Sequence, residues 1–229
     1  MSEAQTDHFD RIAGGYDATI PAHVRDHYLR KRAAVIGPLL HEGEGLDVGC
    51  GTGLLMEALK PFGKVVGVDS SEGMLDVLRR MGRGEAVCAP SDALPFADGR
   101  FDVVFSVAVL HHVAAPDAVR KTLTEMVRVA KKPGGRIVIW DHNPRNPYWP
   151  VLMRRVPQDT GAERLIPDDE IIAALRSAGV KEIRLMRSGF VPDFIPRALM
   201  PLAALGEYVL EKTPLLRNFT AHNVVFAET

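Results

Sequence analysis

Cysteine is scarce in this chain: Cys50 and Cys88 are the two in 229 residues, and no CxxC spacing joins them. Nothing in that pattern suggests metal or redox work, so both thiols are expected to be free and no metal is expected. An excess of one charge is missing as well. Lys and Arg number 28 against 29 Asp and Glu, a formal net charge of -1. Such a balance supplies no global attraction to phosphate backbones and counts against a nucleic-acid partner. The opening MSEAQTDHFDRIAGGYD lacks the apolar core of a secretory signal and the Arg-rich face of a transit peptide, so a cytoplasmic location is expected. The apolar stretch from Phe194 to Leu210 is interrupted by Pro196, Arg197, Pro201 and Glu207. It is no comfortable membrane span of roughly 20 apolar residues, and reads instead as a packed helix or a lid. Internal repeats and low-complexity segments are absent.

What is present is ordinary globular chemistry, with 46% hydrophobic and 25% charged residues. One domain over residues 1–229 is expected. Short β-branched runs recur with room for a helix between them: Leu46-Asp47-Val48, Val65-Val66-Gly67-Val68, Val103-Val104-Phe105 and Ile137-Val138-Ile139-Trp140. Continuous rather than alternating apolar strands imply burial on both faces, hence a parallel sheet. Ser70 and Ser71 can cap a helix carrying Met74, Leu75 and Leu78. Pro116 suits the start of the next, which puts Val119, Leu123, Met126, Val127 and Ala130 on one face before Pro133-Gly134-Gly135. The order is βαβα, a doubly wound α/β sheet. The tail differs: a helix from Pro167-Asp168 to Ser177-Ala178-Gly179 precedes two strand-like runs, Ile183–Met186 and Asn223–Phe226.

Leu46-Asp47-Val48-Gly49-Cys50-Gly51-Thr52-Gly53 reads as a strand, a glycine-rich turn and a helix start near Leu54. Glycines let the chain turn sharply and let a ligand lie against the bare backbone. A dinucleotide fingerprint would need its third glycine at position 54, where Leu54 stands; the glycine comes one residue early, at Gly53. That departure counts against a nicotinamide cofactor. Asp69 ends the next strand, 22 residues beyond Asp47, where a carboxylate can accept from both hydroxyls of a ribose. Asp92, in Ser91-Asp92-Ala93-Leu94-Pro95-Phe96, can accept from an exocyclic amine. Together the three elements describe a pocket for an adenosine, with Met74 placed either on its wall or in the core.

At these residues the chain resembles the class I S-adenosylmethionine-dependent methyltransferases, in the small-molecule branch that includes quinone and sugar methyltransferases. The resemblance runs through Phe9-Asp10, Ala13 and Tyr16-Asp17, LDVGCGTG (46–53), VDSS (68–71), SDALPF (91–96), FDVVFSVAVLHH (101–112) and KPGGRIVI (132–139). It implies a Rossmann-like, seven-stranded, mostly parallel sheet with an antiparallel last strand, and S-adenosylmethionine as cofactor with S-adenosylhomocysteine as product. Asp47 with Gly49, Cys50, Gly51 and Gly53 would hold the methionine end, and Asp69 the ribose. Asp92, Ala93 and Leu94 would meet the adenine, and Tyr16 would close over the methionyl group. Ser70 and Ser106 complete the expected cofactor set. Residues 1–40 would form an N-terminal helical lid, and 143–166 and 190–215 substrate-side insertions.

Methyl transfer to a hydroxyl needs a base, and histidine is best suited to that at neutral pH. His111-His112 follows the fourth strand and Asp141-His142 the fifth, both at the carboxyl edge where open α/β sheets bind ligands. His112 is the first candidate for the base, His111 and His142 the alternatives, and Asp141 an orienting group. One histidine of each pair can equally serve only as cap or wall, and a four-residue His/Asp metal site is conceivable, but nothing in the sequence fixes its geometry and no metal is expected. Tyr148 and Trp149, in a proline-rich run, would stack on a ring, face lipid or anchor the loop. Arg120, Lys121, Arg128, Lys131 and Lys132 read as a solvated helix face. The expected reaction is methylation of a small molecule on a hydroxyl oxygen. Carbon methylation of a quinone-like ring and a non-enzymatic cofactor-binding module are the alternatives. No transmembrane segment is expected, peripheral lipid contact is allowed, and the oligomeric state is left open.

Overall fold

The computed structural model describes residues 2–41, 43–154 and 156–229. Seven strands form one sheet in the order β3-β2-β1-β4-β5-β7-β6. They are β1 (Glu44–Val48), β2 (Lys64–Asp69), β3 (Glu85–Cys88), β4 (Val103–Val107), β5 (Arg136–His142), β6 (Glu182–Ser188) and β7 (His222–Glu228). The first five are parallel, whereas β7 lies antiparallel between β5 and β6. The strands expected from apolar runs are all found, and so is the antiparallel last strand.

The continuous apolar runs split their side chains between two buried layers. Val104, Ile137 and Ile139 pack with Leu123 and Met126 of α6 (Pro116–Val129) and with Leu175 of α8 (Asp168–Ser177). On the opposite face, Phe105, Val138 and Trp140 pack with Ile36 of α2 (Ala22–Ile36) and with Leu55 and Leu59 of α3 (Leu54–Leu59). This two-sided burial is what a parallel sheet demands. The α6 helix stops at Val129, earlier than the glycines suggest, because Ala130 turns extended and bridges Phe101. Its Arg128 is more than a solvated charge. The guanidinium donates to the carbonyls of Leu94 and Phe96 and to Glu125 and Asp98, fixing the 94–98 loop from behind.

Two segments flank the carboxyl edge. α1 (Glu3–Ile12) and a 3-10 turn (Ala13–Ala18) lie over α4 (Glu72–Arg80). At the other end, α9 (Met200–Lys212) occupies the apolar stretch of the tail. No helix among the described residues is long and apolar enough to cross a membrane. Nor is α9 a packed helix: Glu207 is its one buried residue, while Leu202, Leu205, Tyr208 and Val209 are exposed.

Candidate active site

The turn after β1 needs glycine for two reasons. Gly49 has φ +80°, and a Cβ there would stand 2.3 Å from the Val109 side chain. Gly49 and Gly51 line a cavity of about 370 Å³, together with Asp69, Ser70, Met74 and Tyr16. That volume is in the range of small-molecule sites. The structure therefore brings seven of the sequence candidates to one cavity, His112 being the seventh. The others fall just outside it. Cys50 is buried against Met56, Leu75 and Leu78, and Gly53 packs on Leu78 at the start of α3. Ser106 is buried in β4 with no partner for its hydroxyl. On the far wall the cavity is lined by Cys88, Ala89, Pro90 and Ser91, and not by Asp92, Ala93 or Leu94. Leu94 sits in the core, and its N–H already donates to Glu125 at 2.8 Å.

Asp69 unites the two roles a strand-end aspartate can play. Its Oδ1 accepts from Ser71 N–H at 2.9 Å and its Oδ2 from Gly51 N–H at 2.8 Å. Each oxygen keeps a lone pair toward the cavity. Burial raises its pKa, and the backbone donors from Ser71 and Gly51 oppose that rise. Asp47 is buried behind the turn, and burial with the nearby charge of Asp69 pushes its pKa up to about 8. Arg32 of α2 opposes that shift. Its own Nε is buried without a hydrogen-bond partner, and burial lowers its pKa despite Tyr28, Tyr16 and Asp47.

The N-terminal segment is fastened over the cavity by its acidic residues. Asp10 accepts from Ser71 Oγ at 2.6 Å and from Gly73 N–H at 2.8 Å. Asp17 accepts from Thr52 Oγ1 at 2.6 Å and pairs with Arg83 at 2.7 Å. Gln5 donates to the His112 carbonyl at 3.0 Å, and Phe9 meets the His112 ring edge-on at 5.0 Å. Tyr16 is thereby half-buried, with its hydroxyl drawn out of solvent, which pushes its pKa up to about 12. Glu3 and Thr6 also line the cavity. The sequence reading missed both, because nothing distinguishes them from other polar residues of a surface helix.

The histidines come from a short helix, α5 (Leu110–Val113), held between two alanines in the left-handed region, Ala108 at φ 59° and Ala114 at φ 56°. Such conformations cost about 1–3 kcal/mol and are retained where the surroundings impose them. Asp141, at the end of β5, selects His111 rather than His112. Its Oδ1 lies 2.7 Å from His111 Nδ1 and accepts from His142 N–H at 2.6 Å. Burial opposes the charge on His111, but Asp141 outweighs it and the net shift is upward. Burial likewise opposes ionisation of Asp141, and the His111 charge reverses this. His112 lines the cavity, yet burial and the neighbouring His111 push its pKa down to about 4. His142 is stacked between His111, at 4.1 Å, and Trp149, at 3.6 Å, and burial lowers its pKa.

His222, at the start of β7, joins this cluster opposite His142 in the strand register. Burial pushes its pKa down to about 3. One signal could have found it: the first residue of an antiparallel strand lies at the carboxyl edge of its parallel neighbours. Two triads bring ligand-type atoms within 4.8 Å of one another, His111–Asp141–His142 and His111–His112–Asp159. In the first, Nδ1 of His111 is spent on Asp141, and the rings of His111 and His142 are 21° from parallel. In-plane lone pairs on such rings do not converge on one ion.

Residues 46–139 match the family described as a methyltransferase domain. The chain is 34% identical over 161 residues to a ubiquinone biosynthesis O-methyltransferase of Ruegeria pomeroyi, covering 64% of this chain and 62% of that one. It is 39% identical over 153 residues to a demethylmenaquinone methyltransferase of Clavibacter sepedonicus, covering 64% and 60%. The matched region thus spans about three fifths of the length of these curated relatives. In fold it is similar to a SAM-dependent methyltransferase, possible histamine N-methyltransferase, from Thermotoga maritima, with a TM-score of 0.68, 20% identity and coverage of 98% and 99%. Residues 46–139 thus match a methyltransferase domain, and the strand order with its antiparallel β7 is that of a Rossmann-like methyltransferase fold.

Proposed function

We propose that this chain transfers a methyl group from S-adenosylmethionine to a hydroxyl oxygen of a small, ring-bearing acceptor, releasing S-adenosylhomocysteine. The observation that carries the reading is one wall. His112 lines the cofactor-sized cavity, and directly behind it stands His111 with a carboxylate on its Nδ1.

The cavity fits the cofactor on its own terms: a glycine turn without side chains, a carboxylate with free lone pairs and a covering segment that brings Phe9 and Tyr16 beside Glu3 and Thr6. Asp69 holds the ribose diol, Gly49 and Gly51 let the methionyl chain lie on the backbone, and Asp47 faces its ammonium. Arg32, a half-buried cation behind the cavity wall whose buried Nε has no partner, suits the carboxylate of the same group. When bound, the cofactor supplies an electrophilic methyl on a sulfonium whose charge disappears in the transfer. Tyr16, Phe9 and Met74 keep water from that reaction and fix its line of attack. The 91–94 loop borders the adenine end through Ser91, with Asp92 and Ala93 further out.

His111 is the base. With its Nδ1 proton engaged by Asp141, Nε2 is left to take the proton of the acceptor hydroxyl, and Asp141 steadies the cation that results. The flat wall of Trp149 and His142 gives an aromatic ring a surface to stack on. The quinone-related names of the Ruegeria and Clavibacter proteins agree with such an acceptor.

The test is calorimetric and then chemical. Asp69→Ala should weaken S-adenosylmethionine binding by roughly 2–4 kcal/mol, about 30- to 700-fold, since two charge-assisted bonds are lost. Unchanged affinity would remove the ribose assignment. Methyl-labelled cofactor should then label a catechol-like quinol on oxygen. Label on ring carbon would favour the carbon-methylating alternative, and binding without turnover on any acceptor would favour the non-enzymatic module.

A further inference from the structure

We propose that the outward face of α9 and its flanks, residues 190–219, docks this protein on the surface of an anionic lipid bilayer. The α9 helix is amphipathic in the wrong sense for a soluble surface. Its carboxylates point inward: Glu207 pairs with Lys31 and with His27 at 3.0 Å, and accepts from Phe190 N–H at 2.7 Å. Glu211 likewise pairs with Lys31 and accepts from Gly189 N–H at 2.7 Å. The outward positions carry Leu202, Leu205, Tyr208 and Val209. Among the described residues, ten of the fourteen exposed large hydrophobic side chains fall in this segment, including Phe194 at 71% and Leu215 at 81% exposure. Such a concentration of exposed apolar side chains on one helix and its flanks marks a docking site.

Charge selects the occupant. The three acidic residues of the segment are engaged: Glu207 and Glu211 as above, and Asp193 with the Tyr148 hydroxyl at 2.5 Å. Arg197, Lys212 and Arg217 are exposed and form no ion pair among the described residues. An apolar face flanked by cations without a carboxylate partner, of which Lys212 lies over the Tyr208 ring at 5.9 Å, is the recognition chemistry of an anionic interface, where hydrophobic insertion and headgroup attraction add. The chain as a whole, at a net charge of -1, has no such bias.

The surface also leads inward. Phe194 meets Tyr148 at 6.1 Å, Tyr148 meets Trp149 at 6.0 Å, and Trp149 stacks on His142, which stacks on His111. A run of rings thus connects the exposed patch to the base. That a lipophilic acceptor enters along it rests on the methyltransferase reading; the docking itself does not.

Co-sedimentation of the full chain tests the docking, using vesicles of phosphatidylcholine alone and with an equal part of phosphatidylglycerol. The wild type should bind the anionic vesicles at least about tenfold more tightly, and less so when salt is raised to about 0.5 M. Leu205→Glu with Val209→Glu should abolish binding, and Lys212→Glu with Arg217→Glu should reduce it about tenfold or more. All these side chains are exposed, and unchanged melting would show that the fold survives. Failure to sediment with anionic vesicles, or equal sedimentation of the variants, would overturn the proposal. So would a dimer in sedimentation equilibrium that Leu205→Glu dissociates, which would assign the face to a second copy. Cofactor calorimetry on the same variants reads the methyltransferase assignment separately.

Discussion

Asp47 and His111 are buried residues whose protonation sets what the site can do. With its pKa pushed up to about 8 by burial and by Asp69, Asp47 carries a proton at pH 7. A cationic ammonium brought against it favours the carboxylate, so cofactor binding should release a proton and tighten as pH rises toward 8. Calorimetry at pH 7 in two buffers of different ionisation enthalpy measures this release. Asp47→Asn should abolish it, and equal heats for the wild type in both buffers would refute it. His111 is shifted the other way from its three neighbours, because Asp141 bonds its Nδ1. A base must be unprotonated, so turnover should rise with pH through a midpoint above the ordinary histidine value of about 6.5. Asp141→Asn removes the counter-charge. The midpoint should fall below that of the wild type while the plateau drops about 10²–10⁴-fold. His112→Ala should leave the midpoint where it is, since burial keeps that ring neutral through this range. A midpoint that moved with His112 would transfer the base to it.

Among the elements, the N-terminal lid is the one whose role rests on few bonds. Gly73 lets α1 approach α4, since a Cβ there would meet the Asp10 backbone at 2.8 Å, and Asp10 then ties the two helices through Ser71 and Gly73. Asp10→Ala should speed amide exchange in residues 3–18 about tenfold and weaken cofactor binding about three- to tenfold, without unfolding the sheet. Unaltered exchange would mean that Asp17 with Thr52 and Arg83 suffices to hold the lid. The spacing of Phe9, Asp10, Tyr16 and Asp17 singles these residues out in the sequence, but their partners Ser71, Gly73, Thr52 and Arg83 lie 35 to 66 positions further along the chain and are not legible there. The strands of β1, β2, β4 and β5 were legible because continuous burial leaves a continuous apolar run. Arg32 and His222 were not. Arg32 belongs to a helix with no clear apolar stripe, and His222 to a strand whose position between β5 and β6 is decided by long-range pairing. The choice between His111 and His112 was equally hidden. Adjacent residues share every sequence feature, and only the three-dimensional turn between Ala108 and Ala114 gives one of them the aspartate. The α9 helix was visible as apolar, but of its two readings, packed helix or lid, the exposed apolar side chains count against the first, since its carboxylates read as interruptions and not as the buried face.

For the molecule as a whole, these buried groups pull stability in opposite directions with pH. His112 and His222 fold as neutral rings with pKa values pushed down to about 4 and about 3, so the unfolded chain binds more protons below about 6.5 and acid weakens the fold. Glu207, held down to about 2 by His27 and Lys31 against its burial, adds to that loss as pH falls below about 4.5. Asp47 and Asp159 oppose it. Their folded pKa values, about 8 and about 6, lie above those of the unfolded chain, so their stabilisation is present in acid and lost as pH rises. His142, lowered by burial as well, acts with His112 and His222, so between about pH 4.5 and 6 the two aspartates offset only part of what the three histidines cost. Above about 6.5 the histidines no longer distinguish the folded from the unfolded chain, whereas Asp47 and the raised His111 still favour the protonated fold. The cofactor-free protein should therefore melt highest near pH 6–6.5 and lose on the order of 2 kcal/mol from Asp47 by pH 8. Thermal melts across that range check it. Asp47→Asn should flatten much of the alkaline fall, leaving the share that belongs to His111, and S-adenosylhomocysteine should restore the wild type most at the alkaline end, where its ammonium meets a carboxylate already ionised. A wild-type melting temperature that climbs steadily to pH 8 would mean that Asp47 is ionised in the folded protein, and the proton release expected on cofactor binding would vanish with it.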